Sequence, residues 1–283
     1  MNRQIPACNP RNMEQAARFT LIAFHAHPDD EALLTGGTLA RLAAEGHRVV
    51  LAVATDGEAG AAASSYRSTG GLASHRRLEL DRSAAALGCA RVVRFGFRDS
   101  GSSGAPEEGA FSRLAIDEAA APLIELLRSE RADALTIYDP AGGYGHPDHR
   151  KVHAAGVYAA ERAGTPLVLE ATIDRRQIQR LVRLVQAIPG VLPQVRAADF
   201  ENVYSPTSAI THEIDVRAYA EQKREAFRAH ASQASSDDGQ RTLEMLLRLP
   251  PWLFRRMLGR EWYVERARVP AGRPLDDLFA TLR

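Results

Sequence analysis

Five short apolar runs, Thr20 to His25, Arg48 to Thr55, Ala90 to Phe95, Ala134 to Tyr138 and Leu167 to Ala171, are separated by stretches long enough for helices. None of the runs alternates polar with apolar residues, which is the pattern of a strand buried on both faces. The intervening segments Glu31 to Glu45, Ser74 to Leu87, Ser112 to Glu130 and His149 to Arg162 carry apolar residues at three and four spacing, among them Leu123, Leu126 and Leu127. Strict succession of strand and helix predicts an α/β fold built on a parallel sheet with right-handed crossovers. The chain divides into an N-terminal extension over 1–18, this alternating core over 19–172, and a C-terminal portion over 173–283 that completes the pocket, either within the same domain or as a small lobe.

Ionisable residues collect where these strands end. His25-Ala26-His27-Pro28-Asp29-Asp30-Glu31 follows the first run, and His146-Pro147-Asp148-His149 lies a short way after the fourth. Ligands of open parallel sheets gather outside the carboxyl ends of the strands where strand order reverses. With the common order 3-2-1-4-5, the first and fourth strands are neighbours and the two clusters meet. Imidazole and carboxylate donors with an open position describe a catalytic metal site rather than a closed structural one.

His27 and Asp30, three apart across a turn, can converge on one ion and leave Asp29 free as a general base. Of His146 and His149, one can complete the coordination while the other faces the reacting group, with Asp148 orienting that second imidazole. Glu31, in a first helical turn, suits bracing the turn through backbone N–H groups. Tyr144, among Gly142, Gly143 and Gly145, can offer a phenol to a developing oxyanion. Gly36-Gly37 inside a helix points to close packing, and no dinucleotide or nucleoside-triphosphate loop is present.

Lys plus Arg number 36 and Asp plus Glu 35, a net charge of +1, so no global field draws in nucleic acid and any charged ligand must be recognised locally. Two cysteines are too few for a disulfide framework or a thiolate zinc cluster, and a reducing cytoplasm is the expected setting. Neither a signal peptide nor a membrane span is expected. Beyond residue 172, Arg175, Arg176, Arg180 and Arg183 interleave with apolar residues as a basic amphipathic helix. A strand near Val203 and helices over Val216 to Ala231 and Leu243 to Phe254 follow. The basic segment Arg175 to Arg196 is positioned to close over the pocket. Trp252-Leu253-Phe254-Arg255-Arg256 is expected to pack on its own domain, with a membrane surface or partner subunit as the other readings.

The motifs Ala26-His27-Pro28-Asp29-Asp30-Glu31, Gly36-Gly37-Thr38-Leu39-Ala40, Thr55-Asp56-Gly57-Glu58 and Gly145-His146-Pro147-Asp148-His149 resemble the LmbE-like or PIG-L family of zinc-dependent de-N-acetylases. The resemblance extends to Arg77-Leu78-Glu79-Leu80, Arg98-Asp99-Ser100-Gly101, Lys223 and His230-Ala231-Ser232-Gln233, leaving only about Asp174 to Phe200 without a family pattern. It implies a Rossmann-like three-layer sandwich and one zinc held by His27, Asp30 and His149, with iron or cobalt as alternatives. It further implies Asp29 as general base and His146 stabilising the tetrahedral intermediate. Tyr144 matches a tyrosine that polarises the carbonyl in some members, and Arg76 or Arg77, Asp99 and Gln233 match positions lining the substrate pocket.

The function that follows is hydrolysis of the acetamide of an N-acetylglucosamine-type amino sugar by metal-activated water, giving acetate and a free amine. The rival readings are an amidase for a larger amide such as a thiol conjugate or an acylated natural-product precursor, a non-catalytic sugar- or nucleotide-binding protein, and a partner-binding protein with a decayed site. The expected partner is a small amino-sugar substrate, with homo-oligomerisation left open.

Overall fold

The computed structural model describes residues 17–60, 71–101, 105–186, 201–234 and 242–283. The N-terminal extension before residue 17 and the basic segment from residue 187 to Arg196 lie outside them. Five parallel strands, β1 (Thr20–His25), β2 (Arg48–Thr55), β3 (Arg91–Phe97), β4 (Ala134–Tyr138) and β5 (Leu167–Thr172), lie in the order β3-β2-β1-β4-β5. The first strand does neighbour the fourth: Leu21, Ile22 and Ala23 stand opposite Ala134, Leu135 and Thr136.

Successive residues of one strand feed opposite cores, which explains the absence of polar alternation. Leu21 and Ala23 pack with Leu39, Leu80 and Phe227 on one face, and Ile22 and Phe24 with Leu123, Leu126 and Val152 on the other. Helices α1 (Asp30–Leu34), α2 (Gly36–Ala44) and α3 (Leu72–Ala86) follow β1 and β2. Helices α4 (Ile116–Glu130) and α5 (Pro147–Ala163) flank β4, and α6 (Arg175–Gln186) follows β5. This is the three-layer α/β sandwich expected.

The helix expected over Glu31 to Glu45 is two helices, divided at Thr35, whose hydroxyl donates to the Glu31 carbonyl. Gly37 lies so close to Val216 that a Cβ there would stand 2.4 Å from Val216 Cγ2. The Glu261 carboxylate accepts from the Gly37 and Thr38 N–H groups at 2.8 and 2.7 Å, and so satisfies the new helix start. Buried Lys223 neutralises it at 2.6 Å.

Glu261 comes from a strand with no counterpart in the sequence reading. β6 (His212–Asp215) and β7 (Arg260–Glu265) extend the same sheet to β3-β2-β1-β4-β5-β7-β6, with β7 antiparallel to both β5 and β6. Among the described residues no strand forms near Val203: Tyr204 is left-handed at φ 54°, and Ser205 makes an isolated bridge to Asp174. The helix expected over Val216 to Ala231 is a 3-10 turn, α7 (Ala220–Ala229) and the short α8 (Ala231–Ala234). The helix expected over Leu243 to Phe254 is likewise two, α9 (Thr242–Leu247) and α10 (Pro251–Leu258). Pro250 and Pro251 lack the amide hydrogens that would join them and restrict the residue ahead. No helix among the described residues is long and apolar enough to cross a membrane.

Candidate active site

The sharp exit from β1 depends on Asp29, the first cap of α1, whose φ is 113°. Aspartate tolerates this left-handed region better than most residues. Two hydrogen bonds hold the turn: the Asp29 N–H donates to Glu31 Oε2 at 2.9 Å, and the His27 N–H donates to Asp30 Oδ2 at 3.0 Å. His27 and Asp30 thereby face one point, with His27 Nδ1 3.3 Å from Asp30 Oδ2.

The chain leaves β4 through Gly142, Gly143 and Gly145, all at positive φ, and enters α5 at His146. His146 Nδ1 accepts from the Asp148 N–H at 3.1 Å and Pro147 occupies the first turn, where its missing N–H costs nothing. Buried His149 stacks on Tyr138, with ring centroids 4.0 Å apart, and its Nε2 comes within 3.4 Å of Asp30 Oδ2.

These donors suit a small divalent ion. Bonds of about 2.0–2.2 Å to nitrogen and oxygen in a tetrahedron place neighbouring donors about 3.3–3.6 Å apart. The separations of 3.3 and 3.4 Å from Asp30 Oδ2 match that edge. Both ring nitrogens of His149 are buried without a hydrogen-bond partner among the described residues, an arrangement otherwise unfavourable. His146 also brings a donor atom within 4.8 Å of His27 and His149. A second grouping, His27 with Asp99 and Asp148, lies on the far side of the His27 ring. There the carboxylates already have partners: Asp99 accepts from the Ala59 and Gly101 N–H groups, and Asp148 from the Ser100 N–H and hydroxyl.

That far side works as support. Asp148, read from sequence as orienting an imidazole of its own cluster, instead lies 3.2 Å from His27 Nε2, with Asp99 at 3.5 Å. A proton on Nε2 directed at a carboxylate leaves Nδ1 as the free lone pair. Burial opposes a charged His27, but Asp148, Asp30 and Asp99 carry its pKa well above the ordinary value, and the same field favours any cation at the ring. His146 moves the other way, lowered by burial and by His27 and His149 to about 4. It is neutral near pH 7, and because Nδ1 accepts a backbone N–H, its proton sits on Nε2.

Burial, with the charges of Asp30 and Glu31, pushes Asp29 up to about 6 against the pull of Arg76. Arg76 Nη2 lies 3.3 Å from Asp29 Oδ2 while Nη1 donates to the Gly57 carbonyl. Arg77 points away and pairs with Asp56, so of the two adjacent arginines Arg76 meets the centre. Tyr144 is 57% exposed, its ring edge-on to His149 at 5.1 Å and to His146 at 6.1 Å. Gln233 is not drawn in; its amide donates to Ser232 Oγ.

Four side chains support the site through contacts distant in sequence, one of them Glu31, which was expected only to brace its turn. Glu31 is fully buried and, besides the Asp29 N–H, accepts from Ser83 and meets His230 Nε2 at 2.6 Å. Glu79 holds the Ser232 N–H and hydroxyl, joining α8 to α3. Ser100 holds Asp148 and Tyr138 supports His149. Of the string His230 to Gln233, the buried members are His230 and Ser232, with Gln233 less so.

Residues 22–160, which include both clusters, match the family model for PIG-L, the GlcNAc-PI de-N-acetylases. A 1D-myo-inositol 2-acetamido-2-deoxy-alpha-D-glucopyranoside deacetylase of Thermobifida fusca is 37% identical over 239 residues, covering 76% of this chain and 83% of the relative. An enzyme of the same description from Acidothermus cellulolyticus is 34% identical over 284 residues, covering 92% and 94%. The solved N,N'-diacetylchitobiose deacetylase of Pyrococcus horikoshii superposes with a TM-score of 0.56 at 24% identity, over 87% of this chain and 83% of its own, a likeness of fold. With relatives this similar along most of its length, the chain belongs to the PIG-L family of de-N-acetylases.

Proposed function

We propose that this chain is a metal-dependent hydrolase that removes the N-acetyl group from an N-acetylglucosamine-type amino sugar, with zinc held by His27, Asp30 and His149. The observation that carries the reading is the convergence of His27 Nδ1 and His149 Nε2 on Asp30 Oδ2 at 3.3 and 3.4 Å, beside Asp29, whose Oδ2 meets Arg76 and whose other oxygen has no hydrogen-bond partner among the described residues. Two imidazoles and one carboxylate with an open side make zinc the ion of choice. The relatives' names supply the substrate class, an N-acetylated glucosamine. A divalent ion held by these residues would polarise a carbonyl and lower the pKa of water there.

The chain's own residues supply the proton traffic. Asp29, raised to about 6, takes a proton from the attacking water and returns it to the departing amine, so one carboxylate serves both halves of the hydrolysis. Water adds one oxygen to the acyl carbon, the C–N bond breaks, and acetate and the amine leave. His146 donates its Nε2–H to the oxyanion from a neutral ring, and Tyr144 offers a phenol from the solvent side. Arg76, engaged on Asp29 and Gly57, fixes the base rather than binding sugar. Asp99 and Asp148 hold His27.

The test is release of free amine from a panel of N-acetylglucosaminides by metal-replete protein, with and without a chelator. Turnover that the chelator abolishes and added zinc restores is the expected result. Chelator-insensitive turnover, or stoichiometric sugar binding with no amine released, would sink the reading.

A further inference from the structure

Helix α3 turns a polar side inward. Arg76, Glu79 and Ser83, three and then four residues apart and so on one side of the helix, are all buried. Each is spent on another part of the chain: Arg76 donates to Asp29, Ser83 donates to Glu31, and Glu79 accepts from Ser232. Buried polar groups are tolerated when they are paired, and these pairings draw the segment that follows β1 and the segment that follows α7 onto one helix.

Glu31 joins the two segments directly. Its Oε2 accepts the Asp29 N–H at 2.9 Å and so holds the residue whose φ of 113° turns the chain out of β1. Its Oε1 accepts from Ser83 and lies 2.6 Å from His230 Nε2. A side chain that accepts in its other contacts is a carboxylate, with the imidazole donating from Nε2. His230 sits between α7 and α8, fully buried, and its Nδ1 has no hydrogen-bond partner among the described residues. The ring is therefore aimed at one carboxylate oxygen. Docking of α8 on α3 does not need that bond, because Glu79 already holds the Ser232 N–H and hydroxyl at 2.8 and 2.6 Å.

We propose that His230 is a positioning residue for Asp29: by clamping Glu31 from the C-terminal part of the chain, it fixes the left-handed turn that presents the Asp29 carboxylate to the reacting centre. It acts through Glu31 alone. A reacting group misplaced by about 1 Å costs about 10²-fold in rate, so a clamp of this kind leaves a kinetic signature that a bond merely joining two helices does not. The proposal rests on the deacetylase reading for the role of Asp29, but its spectroscopic readouts do not.

The comparison is His230→Gln with His230→Asn, which place the same amide at two reaches. Gln extends to the Nε2 position and can donate to Glu31, whereas Asn ends near Nδ1 and leaves Glu31 Oε1 to Ser83. In metal-replete protein, His230→Asn lowers kcat about 10²-fold with KM little changed and metal content near native, and His230→Gln recovers most of the loss. The Asp29 amide, followed by NMR hydrogen exchange, exchanges about tenfold faster in His230→Asn and stays protected in His230→Gln. Ser232→Ala, which breaks the adjacent bond to Glu79, lowers Tm comparably and produces neither change. Equal kcat in the Gln and Asn variants overturns the proposal. So does a kcat loss in Ser232→Ala that matches that of His230→Asn, since His230 would then only fasten α8, or metal lost in step with activity. Nitrogen shifts of the native His230 ring test it without any variant: a proton on Nε2 is expected, and a bare Nε2 overturns the clamp. Native protein that releases no amine from any N-acetylglucosaminide would count against the deacetylase reading instead, and the Asp29 exchange contrast would still decide whether His230 holds the turn.

Discussion

His27-Pro28-Asp29 and His146-Pro147-Asp148 are the same tripeptide, each set between a parallel strand and the helix after it, yet their aspartates occupy different backbone and different solvent. Asp29 sits ahead of its helix at φ 113° with its side chain 23% exposed; Asp148 lies inside the first turn of α5 with its side chain fully buried. The first therefore leaves one carboxylate oxygen without a partner among the described residues, while the second spends both on Ser100 and His27. The histidines differ in the complementary sense. His27 is enclosed by three carboxylates and attracts a cation, whereas His146 is held neutral by burial and the neighbouring imidazoles. Spacing alone assigns the two turns equal roles; backbone angle and enclosure separate them.

The largest break in this comparison is Asp29→Ala. Loss of a positioned acid–base group lowers turnover by about 10²–10⁴-fold, while bound metal, measured by elemental analysis, stays near the native content. Parallel loss of metal and activity would make Asp29 a ligand instead. The same base predicts a pH limb. Asp29 must be ionised to accept a proton, so kcat/KM falls as the pH drops through its pKa, which is about 6 without a cation and lower with one close by. His146→Gln comes next, with kcat reduced about 10²–10³-fold as an oxyanion donor is lost, KM little changed, and metal retained. Metal loss in that variant would place His146 in the coordination set.

Much of the frame is legible because its signals are local. β1, β2 and β4 have the bounds read from the sequence, since runs such as Leu21-Ile22-Ala23-Phe24 bury both faces whatever surrounds them. β6 and β7 are not legible in that way. His212-Glu213-Ile214-Asp215 is a short charged segment that becomes a strand only because β7 lies beside it, and β7 only because β5 does. The site divides along the same line. His27, Asp29, Asp30, His146 and His149 stand out as dense clusters after apolar runs, but the bonds that assign their neighbours span the chain. His27 meets Asp148 across 121 residues and Glu31 meets His230 across 199, separations over which no periodicity operates.

Asp148→Asn tests the supporting role directly. An amide of the same shape keeps the turn but weakens the grip on the His27 Nε2 proton, and loss of such a partner lowers metal affinity about 10–100-fold. Competition with a chromophoric chelator measures it, and excess metal restores most of the activity. Unchanged affinity would return Asp148 to its own cluster and erase the asymmetry with Asp29.

Tyr144→Phe gives the smallest effect. The phenol is 57% exposed and makes no hydrogen bond among the described residues, so any help it gives an oxyanion is made against competition from water. The ring's edge contact with His149, at 5.1 Å, survives the substitution, and the metal-binding geometry stays as it was. A solvent-side donor of this kind contributes less than the about 10²–10³-fold of an enclosed oxyanion donor, so kcat falls less than tenfold with KM nearly constant. A hundredfold loss would show that substrate closes the solvent side over Tyr144, and would move the main oxyanion contact from His146 to the glycine-rich loop ahead of it.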